Sequence, residues 1–261
     1  MTAPIDRTLA VLELLSLHPE GLTLLAVATR LDLPPSATHR LLNDLLRLGY
    51  VCQPVPQGPY ALTLRLAALG LSWLGRTGLT DMAQPVLDRL AAACGELVRL
   101  SVADGDSLVW VAVAQGATSG LRYDPAREQG SAASLAYSAS GRAWAASLPQ
   151  DRALSLIAAQ GLTPPEGAAQ GSQLDLAGMI EVLAQTRAAG HGEAVDCFLD
   201  GMAAIAVALP AEGPSPGCLS IAGPAVRLTA ARRAELLPAL HAAAEEIMAI
   251  APASQLLRGA P

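Results

Sequence analysis

Residues 33–51 read LPPSATHRLLNDLLRLGYV, and this stretch decides the fold class of the first part of the chain. Two prolines at its start are compatible with a helix, because the amide hydrogens of a first helical turn have no partner within the helix. Leucines then recur at helical spacing as far as Leu48, and Gly49 ends the pattern. The stretch therefore predicts an amphipathic helix that stops just before residue 50.

The flanking segments predict the partners of this helix. Apolar spacing predicts a first helix over 5–17, which the following His-Pro-Glu-Gly sequence ends. Thr23 can cap a short second helix over 24–31. After the third helix, residues 50–53 and 60–62 predict two strands joined by a turn rich in proline and glycine. Three helices followed by a hairpin are the order of a winged helix-turn-helix.

The third helix carries polar side chains off its apolar stripe, as a helix that enters the major groove of DNA must. Arg40 can pair with guanine or hold a phosphate. The candidate DNA-binding residues are Ser36, Thr38, His39, Arg40 and Asn43 on the helix and Gln57, Gly58 and Tyr60 on the hairpin. Winged helices also serve as dimerisation and protein-binding modules, and spacing alone leaves that alternative open.

Charge and composition restrict the class of protein further. The 261 residues include 17 arginines, no lysine and 23 acidic residues, which give a net charge of −6. Residues 1–70 contain five arginines and five acids, so any DNA contact must come from a few well-placed arginines. With 52% apolar and 15% charged residues the chain is not disordered. We expect no membrane span and no secretory signal, and hence a cytoplasmic protein that is bound to the nucleoid when it is on DNA.

The remaining residues predict a mixture of helices and hairpins. Apolar patterns predict strands over 97–102, 108–114, 202–209 and 218–222, and a weaker strand that contains Arg122 and Tyr123. Helices are expected over 66–94 with a break near 75–78, and over 140–147, 151–160, 174–189 and 229–250. Hairpins interspersed with helices favour an α+β fold with an antiparallel sheet covered by helices.

Motifs along most of the chain occur in a distinctive order. They comprise residues 6–15, 20–23, 33–34, 39–42, 48–51, 85–87, 94–96, 130–131, 141–143, 205–206 and 220–224, with two glycines at 190 and 201. In order and spacing these motifs resemble the IclR family of bacterial transcriptional regulators. No single motif is highly specific.

The resemblance implies three parts: a winged helix-turn-helix DNA-binding domain (1–65), a linker helix (66–80) and a GAF-like α/β domain that binds an effector and oligomerises (81–255). It also implies that the protein pairs with itself as a dimer, or as a dimer of dimers. The expected partners are double-stranded DNA with a palindromic operator and a small-molecule effector.

Motif position within the resemblance and residue type together suggest where an effector binds. The motif positions are Leu135, Tyr137, Ser138, Ala139, Ala204 and Ser220. Arg99 and Arg122 can hold a carboxylate, and Trp110 can stack on a ring. Tyr137 and Trp110 can equally be packed in a core, and both arginines can be solvated. Since many positions that are polar in the family are small and apolar here, we expect an aromatic or medium-chain carboxylate.

Motifs of catalysis and metal binding are missing from the sequence. A P-loop needs lysine, of which there is none, and the four histidines are too scattered for HExxH or a zinc site. We therefore expect no catalytic residue, no cofactor and no metal. Two alternatives remain: a domain that oligomerises without a ligand, and a methyltransferase that dimerises through a winged helix. The methyltransferase would need a glycine-rich turn directly after a strand, and no such turn is evident.

Overall fold

A computed structural model describes residues 3–118, 120–124, 129–250 and 256–257. The chain divides between Arg76 and Thr77 into an N-terminal unit and a C-terminal unit. The elements are α1 (Pro4–Ser16), α2 (Leu24–Arg30), α3 (Pro35–Arg47), β1 (Val51–Cys52), β2 (Ala61–Leu62), α4 (Leu64–Arg76), α5 (Leu79–Cys94), β3 (Leu97–Asp104), β4 (Ser107–Gln115), α6 (Ala139–Ser147), α7 (Gln150–Gln160), α8 (Leu176–Ala189), β5 (Gly192–Val195), β6 (Met202–Ala208), β7 (Gly217–Pro224) and α9 (Ala230–Ile250).

The N-terminal unit contains the predicted winged helix-turn-helix, followed by α4. Its small core contains Val11, Val27 and Leu42, one residue from each of the first three helices. The Thr23 hydroxyl accepts a hydrogen bond from the amide of Ala26 at 3.3 Å, so the expected cap of α2 is confirmed. β1 and β2 pair antiparallel and form the short hairpin that follows α3.

Helix α4 has no buried residue within the described structure. Leucines and one tryptophan nevertheless cover much of it: Leu64 is 83% exposed, Leu71 70% and Trp73 58%. Large apolar side chains concentrated on one exposed helix are a feature of surfaces that pair with another protein.

The C-terminal unit is built on one five-stranded sheet in the order β4-β3-β7-β6-β5. Every neighbouring pair in the sheet is antiparallel, which confirms the predicted α+β fold. The central strands β6 and β7 are almost uniformly buried, whereas the edge strand β4 alternates between buried and half-buried residues. This difference explains why the central strands read as continuous apolar runs.

Each face of the sheet has its own apolar core. One core joins Leu100, Ile205 and Ile221 of the strands to α5 and α9. The other core joins Ala206 and Ala222 to the segment 133–157, which includes α6 and most of α7, and to α8. Successive side chains of a strand point to opposite faces, so strand position alone assigns a residue to one core or the other.

Two expectations about strands differ from the structure. Residues 120–124 contain no strand, so the weak strand expected at Arg122 and Tyr123 is wrong. Residues 192–195 form β5, which the sequence did not predict because the four residues are too short to show a period. Gly192 is required there, since a Cβ atom would lie 2.4 Å from the carbonyl oxygen of Ala139 in α6.

Candidate functional site

The exposed side of α3 gathers most of the predicted DNA-binding residues. Ser36, His39, Arg40 and Asn43 are all exposed, while Leu42 on the opposite side is fully buried. The side-chain nitrogen of Asn43 lies 3.3 Å from the Nδ1 atom of the His39 ring, one helical turn away. These side chains therefore form one continuous polar face.

Thr38 is not part of that face. Its side chain is fully buried, and its hydroxyl donates to the carbonyl oxygen of Pro34 at 3.2 Å. Thr38 is expected on the same DNA-contacting face as His39 because both are polar. A threonine can, however, satisfy its hydroxyl within its own helix and pack its methyl group inward. The expectation that Thr38 contacts DNA is corrected accordingly.

The wing offers two of its three predicted residues. Gln57 is exposed with a positive φ of 60°, and Gly58 beside it is half-buried. The carbonyl oxygen of Gly58 accepts from Gln53 Nε2 at 2.8 Å, which holds the tip of the wing. Tyr60 is 6% exposed and bridges to Leu22, so it belongs to the core of this unit and not to a DNA-contacting surface.

A second candidate site lies in the C-terminal unit, around Arg99 of β3. The guanidinium carbon of Arg99 is 4.5 Å from the ring centre of Trp110 and 5.6 Å from that of Tyr123. Both distances are those of cation–π contacts. Phe198 meets Trp110 edge to face, with ring centres 6.1 Å apart. Arg99 is only 4% exposed, and its guanidinium thus lies against two aromatic rings, one of which packs on a third.

A narrow cleft opens beside this cluster. It is lined by Arg99, Tyr123, Ser138, Ala139, Ala194, Phe198, Met202, Ala203, Ala204 and Ala222. The lining has one basic and no acidic side chain. Tyr123 and Ser138 carry hydroxyl groups, and the remaining side chains are apolar. The cavity measures about 20 Å³, which is room for about one water molecule. Any larger ligand must displace side chains, and Phe198 and Met202 are the large apolar ones at the cleft.

The predicted effector-binding residues divide into those that line the cleft and those that do not. Arg99, Ser138, Ala139 and Ala204 line it. Trp110 lies behind Arg99 in the aromatic cluster. Four residues are placed elsewhere: Leu135, Tyr137, Ser220 and Arg122.

Each of these four has a structural reason for its position. Leu135 is buried in the core between α6 and the sheet. The Tyr137 hydroxyl donates to the carbonyl oxygen of Leu162 at 2.7 Å and accepts from the amide of Leu174 at 3.1 Å, so it fastens a loop.

The other two residues, Ser220 and Arg122, also lie outside the cleft lining. Ser220 is fully buried, and its hydroxyl reaches the carbonyl oxygen of Arg99 at 3.4 Å. Arg122 is exposed, because the strand expected there does not exist.

Several lining residues were not anticipated. Tyr123, Phe198 and Met202 come from segments without a motif, and Ala194 comes from the unpredicted β5. The one available signal was Phe198, the single phenylalanine of the chain, in a segment between two glycines. Sequence spacing does not bring residues 99, 123 and 198 together; the sheet and the loops around it do.

Burial raises the pKa of the Cys218 thiol, which lies on the same sheet face, so the thiol stays protonated and is a poor nucleophile. In the described part of the chain, no group of three His, Cys, Asp or Glu side chains is arranged to hold a metal ion. Among the same residues, no helix has the length and apolar composition of a membrane span.

Two family models match this chain. A family model described as the IclR helix-turn-helix domain matches residues 4–54. A second family model, whose description is "Bacterial transcriptional regulator IclR C-terminal", matches residues 71–249.

Curated relatives extend the similarity along nearly the whole chain. The acetate operon repressor of Salmonella typhimurium is 30% identical, with 93% of this chain and 88% of that protein aligned. The HTH-type transcriptional regulator BhcR of Paracoccus denitrificans is 28% identical, over 93% of this chain and 85% of that protein.

A solved structure shares the fold. An IclR homologue from Microbacterium hydrocarbonoxydans, complexed with 4-hydroxybenzoate, superimposes with a TM-score of 0.75. It is 22% identical and covers 97% of this chain and 100% of its own.

The winged helix, the second domain and these relatives define a DNA-binding transcriptional regulator and not an enzyme. More particularly, because the two family models together span most of its length, the chain belongs to the IclR family.

Proposed function

We propose that this regulator binds a palindromic operator as a homodimer and that a carboxylate in the Arg99 cleft modulates the binding. In this proposal residues 1–65 contact DNA, residues 66–80 transmit the signal, and residues 81–255 bind the effector and oligomerise. The single observation that supports the effector class most strongly is the Arg99 guanidinium, which contacts the rings of Trp110 and Tyr123 and is the one charged group in the lining of a largely apolar cleft. We place the protein in the cytoplasm, at the nucleoid when bound.

Only exposed residues of the winged helix-turn-helix are assigned contacts with DNA. Ser36, His39, Arg40 and Asn43 face the major groove, and Gln57 with Gly58 approaches the backbone or the minor groove. Arg40 is the strongest candidate for a base contact, because an arginine can pair with guanine through two hydrogen bonds.

Dimer formation is supported by α4 and α1. The exposed leucines and Trp73 of α4 are accompanied in the same unit by Ile5 and Leu9 of α1, which are 68% and 52% exposed. A second copy that covers these side chains would bury them and would place two winged helices on two half-sites. The matching two-fold symmetry is the reason for expecting a palindromic operator.

Effector binding must open the cleft. An aromatic carboxylate does not fit into about 20 Å³, so its ring has to take space that Phe198 or Met202 now fills. The homologue that was solved with 4-hydroxybenzoate makes this compound a reasonable first probe. For the ligand to regulate, it must bind the DNA-competent and DNA-incompetent arrangements with different affinities.

The small cleft also favours one alternative, in which the C-terminal unit oligomerises and binds no ligand. Fluorescence anisotropy with DNA from the region upstream of the coding sequence, at two salt concentrations and against scrambled competitor, tests operator binding. The same complex is then titrated with 4-hydroxybenzoate and with 4-hydroxybenzyl alcohol, which lacks the carboxylate. We expect only the acid to shift the DNA affinity. A shift by neither, with no stabilisation by either in thermal unfolding, would support the alternative.

A further inference from the structure

A groove in the N-terminal unit borders the polar face of α3. It runs between the first turns of α1 and the side of α3, and has a volume of about 480 Å³. Pro4, Arg7 and Thr8 line it from α1, and Arg40, Asp44 and Arg47 are among the residues that line it from α3. Arg40 therefore belongs both to this groove and to the polar face of α3, so the two surfaces are continuous.

The charge of the groove is positive and only partly compensated. Three guanidinium groups and one carboxylate line it, which leaves a net charge of +2. Asp44 pairs with Arg47 at 3.1 Å. In the described structure Arg7 and Arg40 have no ion-pair partner, and the Nε atom of Arg7 is buried without a hydrogen-bond acceptor.

Two of the four acidic residues elsewhere in this unit have local partners. The carboxylate of Asp6, next to Arg7 in sequence, accepts from the amide of Ala3 at 3.0 Å. Glu20 lies 3.2 Å from a ring nitrogen of His18, and its pKa is lowered by hydrogen bonds to its own backbone and to that ring. The unit is thus nearly neutral in total, yet half of its six arginines, Arg7, Arg40 and Arg47, line one groove.

We propose that this groove binds the phosphate backbone of DNA, with Arg7 as a backbone-contacting residue beside the bases read by α3. The inference rests on the proposed placement of the α3 face in the major groove. A polyanion fits the site because guanidinium groups match phosphate oxygens in geometry and charge. Arg7 is anchored at the α1 side of the groove, so it supplies affinity and register and no base discrimination.

This assignment also explains how a unit of low net charge can attract DNA. Phosphate contacts contribute much of the affinity of most DNA-binding proteins. Here the total charge does not supply that attraction, whereas three arginines do: two on the reading helix and one beside it on α1. A contact of this kind leaves a characteristic signature: the affinity for any DNA sequence falls less steeply with salt when the contact is removed.

The test compares Arg7→Ala with a matched control, Arg30→Ala. Arg30 is an exposed arginine of the same unit that does not line the groove. Binding is measured by anisotropy on a labelled duplex of about 30 base pairs, or about three helical turns, carrying the upstream sequence, and on a scrambled duplex. Both are titrated over a series of salt concentrations.

We expect Arg7→Ala to weaken binding to both duplexes and to reduce the slope of log affinity against log salt by about 1. The ratio of wild-type to variant affinity then falls about three- to fourfold for each fourfold rise in salt. Arg30→Ala should keep the wild-type slope, and Arg7→Lys should recover most of it because the positive charge remains. Matching circular dichroism spectra and melting temperatures exclude misfolding, and Arg7→Gln replaces the alanine variant if that one fails to fold.

An unchanged slope for Arg7→Ala, with normal binding by the wild type, would overturn the groove assignment alone. Equal losses in Arg7→Ala and Arg30→Ala would overturn it too, since the effect would then reflect total charge. If inorganic phosphate without DNA raises the melting temperature of the wild type but not of Arg7→Ala, and the salt slopes agree, the groove takes a free anion instead. Failure of the wild type to bind either duplex would overturn the DNA-binding proposal together with this inference.

Discussion

The two candidate sites of this regulator are built in opposite ways. The polar face of α3 lies on one helix, is exposed, and takes its residues from fewer than ten consecutive positions. The cleft beside Arg99 is nearly closed and takes its residues from seven separated segments between 99 and 222. A surface that must reach into a DNA groove has to project outward, whereas a small-molecule site has to enclose its ligand.

This contrast has an energetic side. On α3, replacing an exposed polar side chain leaves the packed core of the unit as it is. In the C-terminal unit the site shares its residues with the packed core, so many substitutions change both the folding free energy and the ligand affinity. Matched substitutions separate the two effects.

The largest effect is expected from Gly141→Ala in α6. A Cβ atom there would lie 2.1 Å from the carbonyl oxygen of Ser134, a backbone atom that cannot move independently. α6 would be forced away from the segment that precedes it, and the free energy of unfolding should fall by about 3 kcal/mol.

Gly70→Ala in the exposed helix α4 is the matched control. A Cβ atom added there would have no neighbouring atom within 4 Å, so the variant should gain about 0.5–1 kcal/mol from its better helix propensity. Thermal and chemical denaturation followed by circular dichroism measure both variants. Equal stabilities for the two would mean that α6 is far less tightly packed than its contacts with Ser134 indicate.

Arg99→Gln should come next, with ligand affinity as its readout. If Arg99 holds the effector's carboxylate, its removal costs about 1.5–3 kcal/mol, or roughly 10- to 100-fold in the affinity for 4-hydroxybenzoate. Arg122→Gln makes the same change of charge on an exposed residue outside the cleft and should leave that affinity as it is. Isothermal titration calorimetry distinguishes them, and comparable losses in both variants would point to a diffuse electrostatic effect.

Arg40→Ala tests the exposed face. Loss of a bidentate base contact should weaken specific DNA binding by about 1–3 kcal/mol and should relax the preference at one operator position. Thr38→Val, two residues away, should leave DNA affinity unchanged. It should lower stability by about 1 kcal/mol, because valine cannot donate the buried hydrogen bond to the carbonyl oxygen of Pro34. Anisotropy on operator and scrambled DNA gives the answer, and a loss of DNA affinity in Thr38→Val would contradict the buried position of that residue.

The smallest effect is expected for Ser220→Ala. The hydroxyl makes one long hydrogen bond, 3.4 Å to the carbonyl oxygen of Arg99, and does not line the cleft. We expect a loss of less than about 1 kcal/mol in stability and no change in the response to 4-hydroxybenzoate. If the response is lost while stability is unchanged, Ser220 contacts the ligand after all, as its motif position predicted.

The elements that local patterns anticipated share one property: their signals are short-range. Helical leucine spacing and Thr23 as a cap both predict structure from neighbouring residues. β5 was not predicted because its four residues are too few to show a period. The strand at Arg122 was predicted wrongly because one polar and one aromatic residue do not establish an alternating pattern.

Residue type was the weaker guide to the sites. Thr38 and Tyr60 are polar or aromatic in the right segments, yet one satisfies its hydroxyl within α3 and the other packs against the core. Arg99 and Arg122 looked equivalent in the sequence. They differ because one lies on β3, opposite Ser220 in the sheet, and the other lies outside any strand.

Amino-acid order alone was enough to predict the winged helix, the antiparallel sheet covered by helices and the exposed side of α3, because helix period, strand alternation and turn residues act over a few positions. The pairing of β3 with β4 and β7, and the loops around them, determined which arginine meets Trp110 and which aromatic ring closes the cleft. The packing of α1 beside α3 likewise determined that Arg7 and Arg40 line one groove. Those contacts join residues far apart in the chain, and no local pattern specifies which distant segment will supply a neighbour.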